Sequence, residues 1–293
     1  MTAANSAPLD YLLHLADNAL VLGQRNAQWC AHGPVLEEDI ALANISLDLI
    51  GQARLLYQHA ATLINNARTP AAEAFALPPE GAFAPWGGAA ALTGGDATED
   101  SLAYFRGPAE FRNFTLLELP HLAPPAAASG TGRDYAITIV RNFLYSAFMQ
   151  RLWDALQAST DSQLAAIATR SFKEARYHVR HSGDWLVRLG DGTDHSHART
   201  QTAVNTLLPY TEEFWTVSDQ EVAAIADGTA ADPRTLRLSW DRDVDDALAE
   251  ATLSRPGHDG FLPRGKHGLH SEHLTDLLAD MQSLARQHPD ATW

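Results

Sequence analysis

Glu174, His178 and His181, within the string KEARYHVRHSGDW, are the closest this chain comes to a metal-binding helix. Carboxylate oxygen and imidazole nitrogen are the donors that carboxylate di-iron sites use, and a helix presents them best as Glu-x-x-His, because positions three apart face the same way. Here the residue three after Glu174 is Tyr177, and the histidine arrives one place later. A helical projection still aligns Arg170, Glu174, His178, His181 and Trp185 in one stripe. Two chemistries fit that stripe. One is a line of salt bridges and hydrogen bonds, with Glu174 paired to an Arg or Lys as buried charges normally are. The other is a reduced metal site of Glu174 and His178 with Asp48 or Asp17.

Other groupings carry less. The literal Glu-x-x-His, Glu118 to His121, has Pro120 inside it and reads as coincidence. His270, Glu272 and His273 open a late helical pattern and lack partners. Cys30 sits beside Trp29 in the last turn of a helical pattern and is expected to be buried as a small hydrophobe. GDGTDHSH is not preceded by the strand that a phosphate-binding loop needs, so Gly190 and Gly192 read as a left-handed helix stop and a turn. No serine triad suggests itself, and most of the 13 histidines are expected to face solvent.

The elements that must position these residues are long helices. PVLEEDIALANISLDLIGQARLLYQHAATLINN has Pro34 at its start and Glu37, Glu38 and Asp39 at the positive end of the helix dipole, predicting a helix over about 35–66. Its projection places Leu42, Ile45, Leu49, Leu56 and Leu63 on one flank and Ile40, Ala43, Leu47 and Ile50 on the other. The stripe left between them holds Glu37, Asn44, Asp48, Gln52 and His59, either a solvated face or a polar line inside a bundle. A first helix over about 8–31 precedes it through a very short turn, which makes the two antiparallel. Helices over about 133–158 and 161–189 form a second pair, the latter capped by Thr160 or Asp161.

Between the pairs, 67–132 loses its periodicity except near Glu99 to Phe105. It is rich in aromatic residues, Phe75, Phe83, Trp86, Phe111 and Phe114 among them, so a packed excursion is expected rather than a linker. Hairpin, long crossover, hairpin is the connectivity of a ferritin-like four-helix bundle, and the whole chain, 1–293, reads as one all-α domain of that type. Additional C-terminal helices follow within 194–287. Among them are a segment that Ser218 and Glu221 start with a capping box and Gly228 ends, an acidic surface-lying stretch from Asp241 to Leu253, and a final helix from Ser271 to Gln287 directing Leu274, Leu277, Leu278, Met281 and Leu284 toward something apolar. Residues 254–268 read as a loop.

The net charge of −15 argues against nucleic acid and anionic membrane surfaces as partners, and Asp39, Asn44, Asp48, Gln52 and Arg54 argue against a membrane span in the second helix. A single cysteine leaves no intramolecular disulfide, and MTAANSAPLDYLL lacks a basic region followed by an apolar run; both fit the cytoplasm. Testing the four core helices for a full di-iron ligand set fails. The first offers Asp10 and Asp17 but no Glu, the second has its Glu residues only in its opening turn, the third has no Glu, and none carries Glu-x-x-His.

HGPVLEEDIALANISLDLIGQARLLYQ, DSLAYFRGPAEFRNFTLLELP, FKEARYHVRHSGDWLVRLGDGT and GKHGLHSEHLTDLLADMQ resemble the PaaC family of bacterial phenylacetyl-CoA epoxidase subunits. The resemblance implies a ferritin-like fold and a non-catalytic, structural role with no cofactor in this chain. The di-iron centre is then expected in a homologous catalytic subunit, PaaA, with a bridging subunit, PaaB, and a reductase, PaaE. It also allows a homodimer for the chain expressed alone. On this basis Asp48, Glu174 and His178 are expected at the degenerate counterpart of the metal site. An autonomous iron-binding ferritin-like oxygenase with a noncanonical ligand set is the alternative.

Overall fold

The structure, a computed structural model, describes residues 6–67, 96–121, 133–257, 260–289 and 291. Among these the secondary structure is helical, with one isolated bridge pair between Arg264 and Leu269. Helix α1 (Leu9–Ala27) packs along α2 (Leu36–Ala67), and α5 (Tyr135–Leu156) packs along α6 (Ser162–Gly190). The two pairs meet where α2 lies on α6, and where Asn26 and Asn142 exchange amide hydrogen bonds of 2.8 and 3.0 Å between the end of α1 and α5.

The four long helices differ in how much of their circumference is covered. Helix α1 is buried on nearly every side, as is α5, and each buries polar side chains beside its apolar ones, Asp17, Asn18 and Asn26 in α1 and Arg141 and Asn142 in α5. Helix α6 is amphipathic, burying Leu164, Ile167, Ala168, Ala175 and Leu186, with Lys173, Arg176, Arg180 and Arg188 exposed. In α2 the flank of Leu42, Ile45, Leu49 and Leu56 is buried, whereas Leu36, Ile40, Leu47 and Ile50 are exposed.

Asp161 starts α6, its Oδ1 accepting from the N–H groups of Gln163 and Leu164 at 3.0 and 3.1 Å. Its other oxygen accepts from the Ala7 N–H at 2.9 Å and from His59 Nε2 at 2.7 Å, so one carboxylate caps a helix and ties it to α2 and to the N-terminal segment. Burial alone would raise this group, but the bonds from His59, Ala7 and Leu164 hold it down at about 2.

The described part of the crossover is a packed excursion, as its aromatic content predicts; Phe75, Phe83 and Trp86 lie outside the described residues. It comprises α3 (Glu99–Tyr104), a 3₁₀ turn at Pro108–Glu110 and α4 (Thr115–Glu118). Phe111 and Phe114 are buried in it, and Phe114 joins Phe148, Phe214, Trp215 and Trp240 in an aromatic cluster, with Phe148 stacked on Phe214 at 4.6 Å.

The later elements are α7 (Asp194–Leu207), a 3₁₀ stretch at Leu208–Trp215, α8 (Asp219–Asp227), α9 (Arg237–Glu250) and α10 (Glu272–Gln287). Ser218 and Glu221 form the expected capping box, and Gly228 ends α8 at φ +80.

Several expectations need correction. Helix α1 stops at Ala27 rather than near 31, because the chain turns through Ala31 at φ 65, whose N–H is held by Asp39 Oδ2 at 2.8 Å. Cys30 consequently lies past the helix and is exposed. Gly190 is the last helical residue rather than a left-handed stop; it is glycine because a Cβ there would strike the carbonyl of Ala251. Helix α9 begins earlier than expected and does not merely lie on the surface. Its Trp240 is fully buried and donates to the Leu144 carbonyl of α5 at 3.1 Å. In α10 Leu274, Leu277 and Leu278 are buried, but Leu284 is exposed.

Candidate functional site

The polar stripes of α2 and α6 face each other. Because the helices run antiparallel, residues early in α2 meet residues late in α6. Glu38 Oε2 accepts from His181 Nε2 at 2.8 Å and from the Tyr135 hydroxyl at 2.7 Å. Asp48 Oδ2 accepts from His178 Nε2 at 3.0 Å. Glu174 accepts from the Gln52 amide at 2.9 Å and from Arg170 Nε at 3.1 Å. His59 and Asp161 close the far end. Of the α2 stripe, Asp48, Gln52 and His59 form a polar line between bundle helices, whereas Glu37 and Asn44 are exposed, and Glu38, outside the predicted stripe, joins the line.

His178 is buried, whereas Asp48 keeps about a third of its side chain open, 37%. Burial would raise the Glu38 carboxyl, but hydrogen bonds from Tyr135 and His181 outweigh it and leave the group below its ordinary range. His181 Nδ1 is buried without a hydrogen-bond partner. The structure therefore brings Asp48 and His178 together and sets Glu174 beside them in the same line, bound to an amide and a guanidinium. Among the described residues, no group of three His, Cys, Asp or Glu side chains is arranged to hold a metal ion.

Asp17, the other acid considered beside Glu174 and His178, is engaged elsewhere. It forms a fully buried ion pair with Arg106, accepts from the Tyr57 hydroxyl at 2.5 Å, and accepts from the Arg112 N–H at 2.8 Å. Arg106 also lies over the Phe111 ring at 4.3 Å. This cluster fastens the crossover to the α1–α2 hairpin.

Glu118 and His121 do not act as a pair. Glu118 is completely buried and accepts from His270 Nδ1 at 2.7 Å, Ser271 N–H at 2.6 Å and Asn113 Nδ2 at 2.9 Å. His270 thus has a partner, contrary to expectation. His121 faces away, toward Thr138 at 2.6 Å, the Arg25 carbonyl at 2.7 Å and Arg141. Burial and the neighbouring Arg141 charge push its imidazole well below the ordinary range.

The expectation that most histidines face solvent fails for six of the 13: His14, His121 and His178 are buried, and the side chains of His59, His181 and His270 are nearly so. Glu213, missed by the sequence reading, accepts from the Thr115 N–H at 2.8 Å and the Lys266 N–H at 2.7 Å, and burial raises its carboxyl.

The arrangement is a set of closed pairs rather than a site with open donors. Each acid in the α2–α6 line already faces a donor, and Glu174 carries a cation beside it. A di-iron centre needs several carboxylates and imidazoles converging on vacant coordination positions. These residues do not fit one.

The family described as phenylacetic acid catabolic protein matches residues 1–293. The chain is also 40% identical, over 283 residues, to an Escherichia coli (strain K12) protein named as a subunit of 1,2-phenylacetyl-CoA epoxidase, covering 97% of this chain and 98% of that protein.

Proposed function

Because the chain belongs to the family of phenylacetic acid catabolic proteins, we propose that it is the non-catalytic structural subunit of a phenylacetyl-CoA epoxidase. On this reading the whole chain is one ferritin-like domain in the cytoplasm, paired with a homologous di-iron subunit, PaaA, and served by PaaB and the reductase PaaE. Asp48, Glu174 and His178 then occupy the degenerate counterpart of the metal site.

One observation carries the reading: along the α2–α6 line, side chains able to bind iron are bound to one another or to Gln52 and Arg170. A bundle that keeps its helices, fills the line between them with closed pairs, and retains two long helices at its surface is suited to support a sister subunit.

Two measurements test it. Iron per chain, for this protein expressed alone in iron-replete medium and purified without chelators, is expected near zero. About two irons per chain, the load of a di-iron bundle, would make it an autonomous oxygenase. Asp48→Ala leaves His178 buried without its acceptor and is expected to cost about 1–3 kcal/mol of stability. Glu174→Ala likewise weakens folding or pairing. In both variants, turnover per assembled complex stays at the wild-type value; normal assembly with lost turnover would overturn the structural role.

A further inference from the structure

Tyr135, the first residue of α5, has two tryptophan neighbours. Its ring lies 5.5 Å from Trp29 and 5.5 Å from Trp185 between centroids, edge to face in both cases at 85° and 89°. Trp29 is buried and donates to Thr138, whereas Trp185 on α6 is partly exposed against the Arg188 guanidinium. The three rings form a contiguous path from the surface of α6 into the bundle. Tryptophan and tyrosine are the ring side chains that yield an electron most readily. The Phe114, Phe148 and Phe214 rings at the centre of the other aromatic cluster do not.

A phenol gives up its electron easily only when its proton can leave too, because the oxidised phenol is a far stronger acid than the phenol itself. Tyr135 has a base in place. Its hydroxyl donates to Glu38 Oε2 at 2.7 Å, within reach of direct proton transfer. Glu38 is in turn held by His181 Nε2 at 2.8 Å, and the edge of Trp185 adds to the donors around it. Tyr57 also donates to a carboxylate, but that carboxylate, Asp17, forms a buried ion pair with Arg106. Protonating Asp17 would strand a buried cation, so Tyr57 lacks a usable proton acceptor.

We infer that Tyr135 is a reversible one-electron redox site, with Glu38 as its proton acceptor and Trp185 as the point where the electron leaves the chain. A one-electron oxidant of the oxygen-radical class takes an electron from Trp185. An electron from Tyr135 refills the indole, and the phenolic proton moves to Glu38 Oε2, leaving a neutral tyrosyl radical beside a protonated carboxylate. Only the phenolic O–H bond breaks. A small enediol reductant such as ascorbate supplies the return electron, and the proton moves back. The path discharges a stray oxidant without loss of a side chain. The inference is independent of the subunit reading, and neither fails with the other.

The experiment applies laser flash oxidation to the full chain, with tris(bipyridine)ruthenium as photosensitiser and an irreversible cobalt(III) ammine quencher. Transient absorption and freeze-quench electron paramagnetic resonance distinguish tyrosyl from tryptophanyl radicals. The wild type is expected to give a long-lived tyrosyl radical that forms more slowly in deuterium oxide and disappears on adding ascorbate. Tyr135→Phe loses that signal, and the radical stays on tryptophan. Glu38→Gln, whose amide cannot take up the proton, loses it as well, and Trp185→Phe slows its appearance. Tyr57→Phe and Tyr177→Phe, the latter removing a phenol 41% exposed, leave it unchanged.

Circular dichroism and thermal melts check each variant. Tyr135→Phe keeps the ring that packs on both tryptophans, and if Glu38→Gln does not fold, the solvent isotope effect in the wild type decides whether a proton moves with the electron. The assignment is overturned if the wild type gives no long-lived tyrosyl radical, or if the signal survives in Tyr135→Phe. A signal that survives Glu38→Gln, or forms without a solvent isotope effect, removes Glu38 as the acceptor and the inference with it.

Discussion

Both oxygens of Asp17 are committed to the crossover and α2, through Arg106, Tyr57 and the Arg112 N–H. Removing one member of a buried ion pair leaves the other charged and unpaired, which costs about 3–5 kcal/mol. Asp17→Ala is therefore expected to lower unfolding stability by that amount in urea titrations. Asp17→Leu combined with Arg106→Met recovers much of the loss; a double-variant loss equal to the sum of the two single losses would mean the pair is not coupled. At this scale the sequence was informative where partners lie on two facing helices. The stripes of Asp48 and of Glu174 with His178 come from helical spacing alone, and they do face each other. Glu118 and His270 are 152 residues apart, and nothing in their local patterns announces the pair. The same distance problem hid Glu213, whose contacts are backbone N–H groups of remote loops.

Among the elements, α6 depends on Asp161 more than a helix usually depends on its cap. Loss of a capping side chain alone costs about 0.5–2 kcal/mol. Asp161→Ala also strands His59 and the Ala7 N–H, so the expected loss is about 2–4 kcal/mol, from the cap and the two orphaned donors together. Differential scanning calorimetry measures the total, and hydrogen exchange at Ala7 reports whether the N-terminal segment detaches. Asp161→Asn, which keeps an acceptor at the cap, is expected to fall between. The four long helices were legible because Pro34, Asp161, Gly33 and sustained apolar spacing mark their ends and faces. Helix α4 was not, since four residues followed closely by Pro120 carry no period to detect. The early end of α1 was missed for a related reason. Its apolar pattern continues through Trp29, which is buried beyond the helix by donating to Thr138 Oγ1 at 2.8 Å.

For the whole molecule, the buried histidines set the response to acid. Burial, with the Lys266 charge adding to it, lowers His14 to about 4 against nearby Glu221 and Asp17, and His121 is lowered as well. A group whose folded pKa is depressed binds its proton more readily when unfolded, so stability is present above 6.5 and is lost as pH falls from 6.5 toward 4. For His14 the loss is on the order of 3 kcal/mol. His270 acts oppositely: burial works against its charge, but Glu118 raises it overall, so its contribution is complete below 6.5 and fades as pH rises through its folded value. Urea midpoints measured across pH 4–8 are expected to peak near neutrality and to fall below it before most carboxylates titrate. His14→Gln is expected to flatten the acid limb, and an unchanged limb would remove His14 as its cause.

Helix α1, wrapped on almost every side, has a consequence for the order in which the molecule can come into being. Its Arg25 donates to the carbonyl of His273, 248 residues later, and α10 also covers α3 and α4 beside it. At roughly 5–20 residues per second of synthesis, the opening helix waits on the order of tens of seconds for that final contact. Through that interval its flank toward α10 lacks its native cover. Helix α1 is sealed on this flank only once α10 has been made, and the newborn chain must remain safe from aggregation until then.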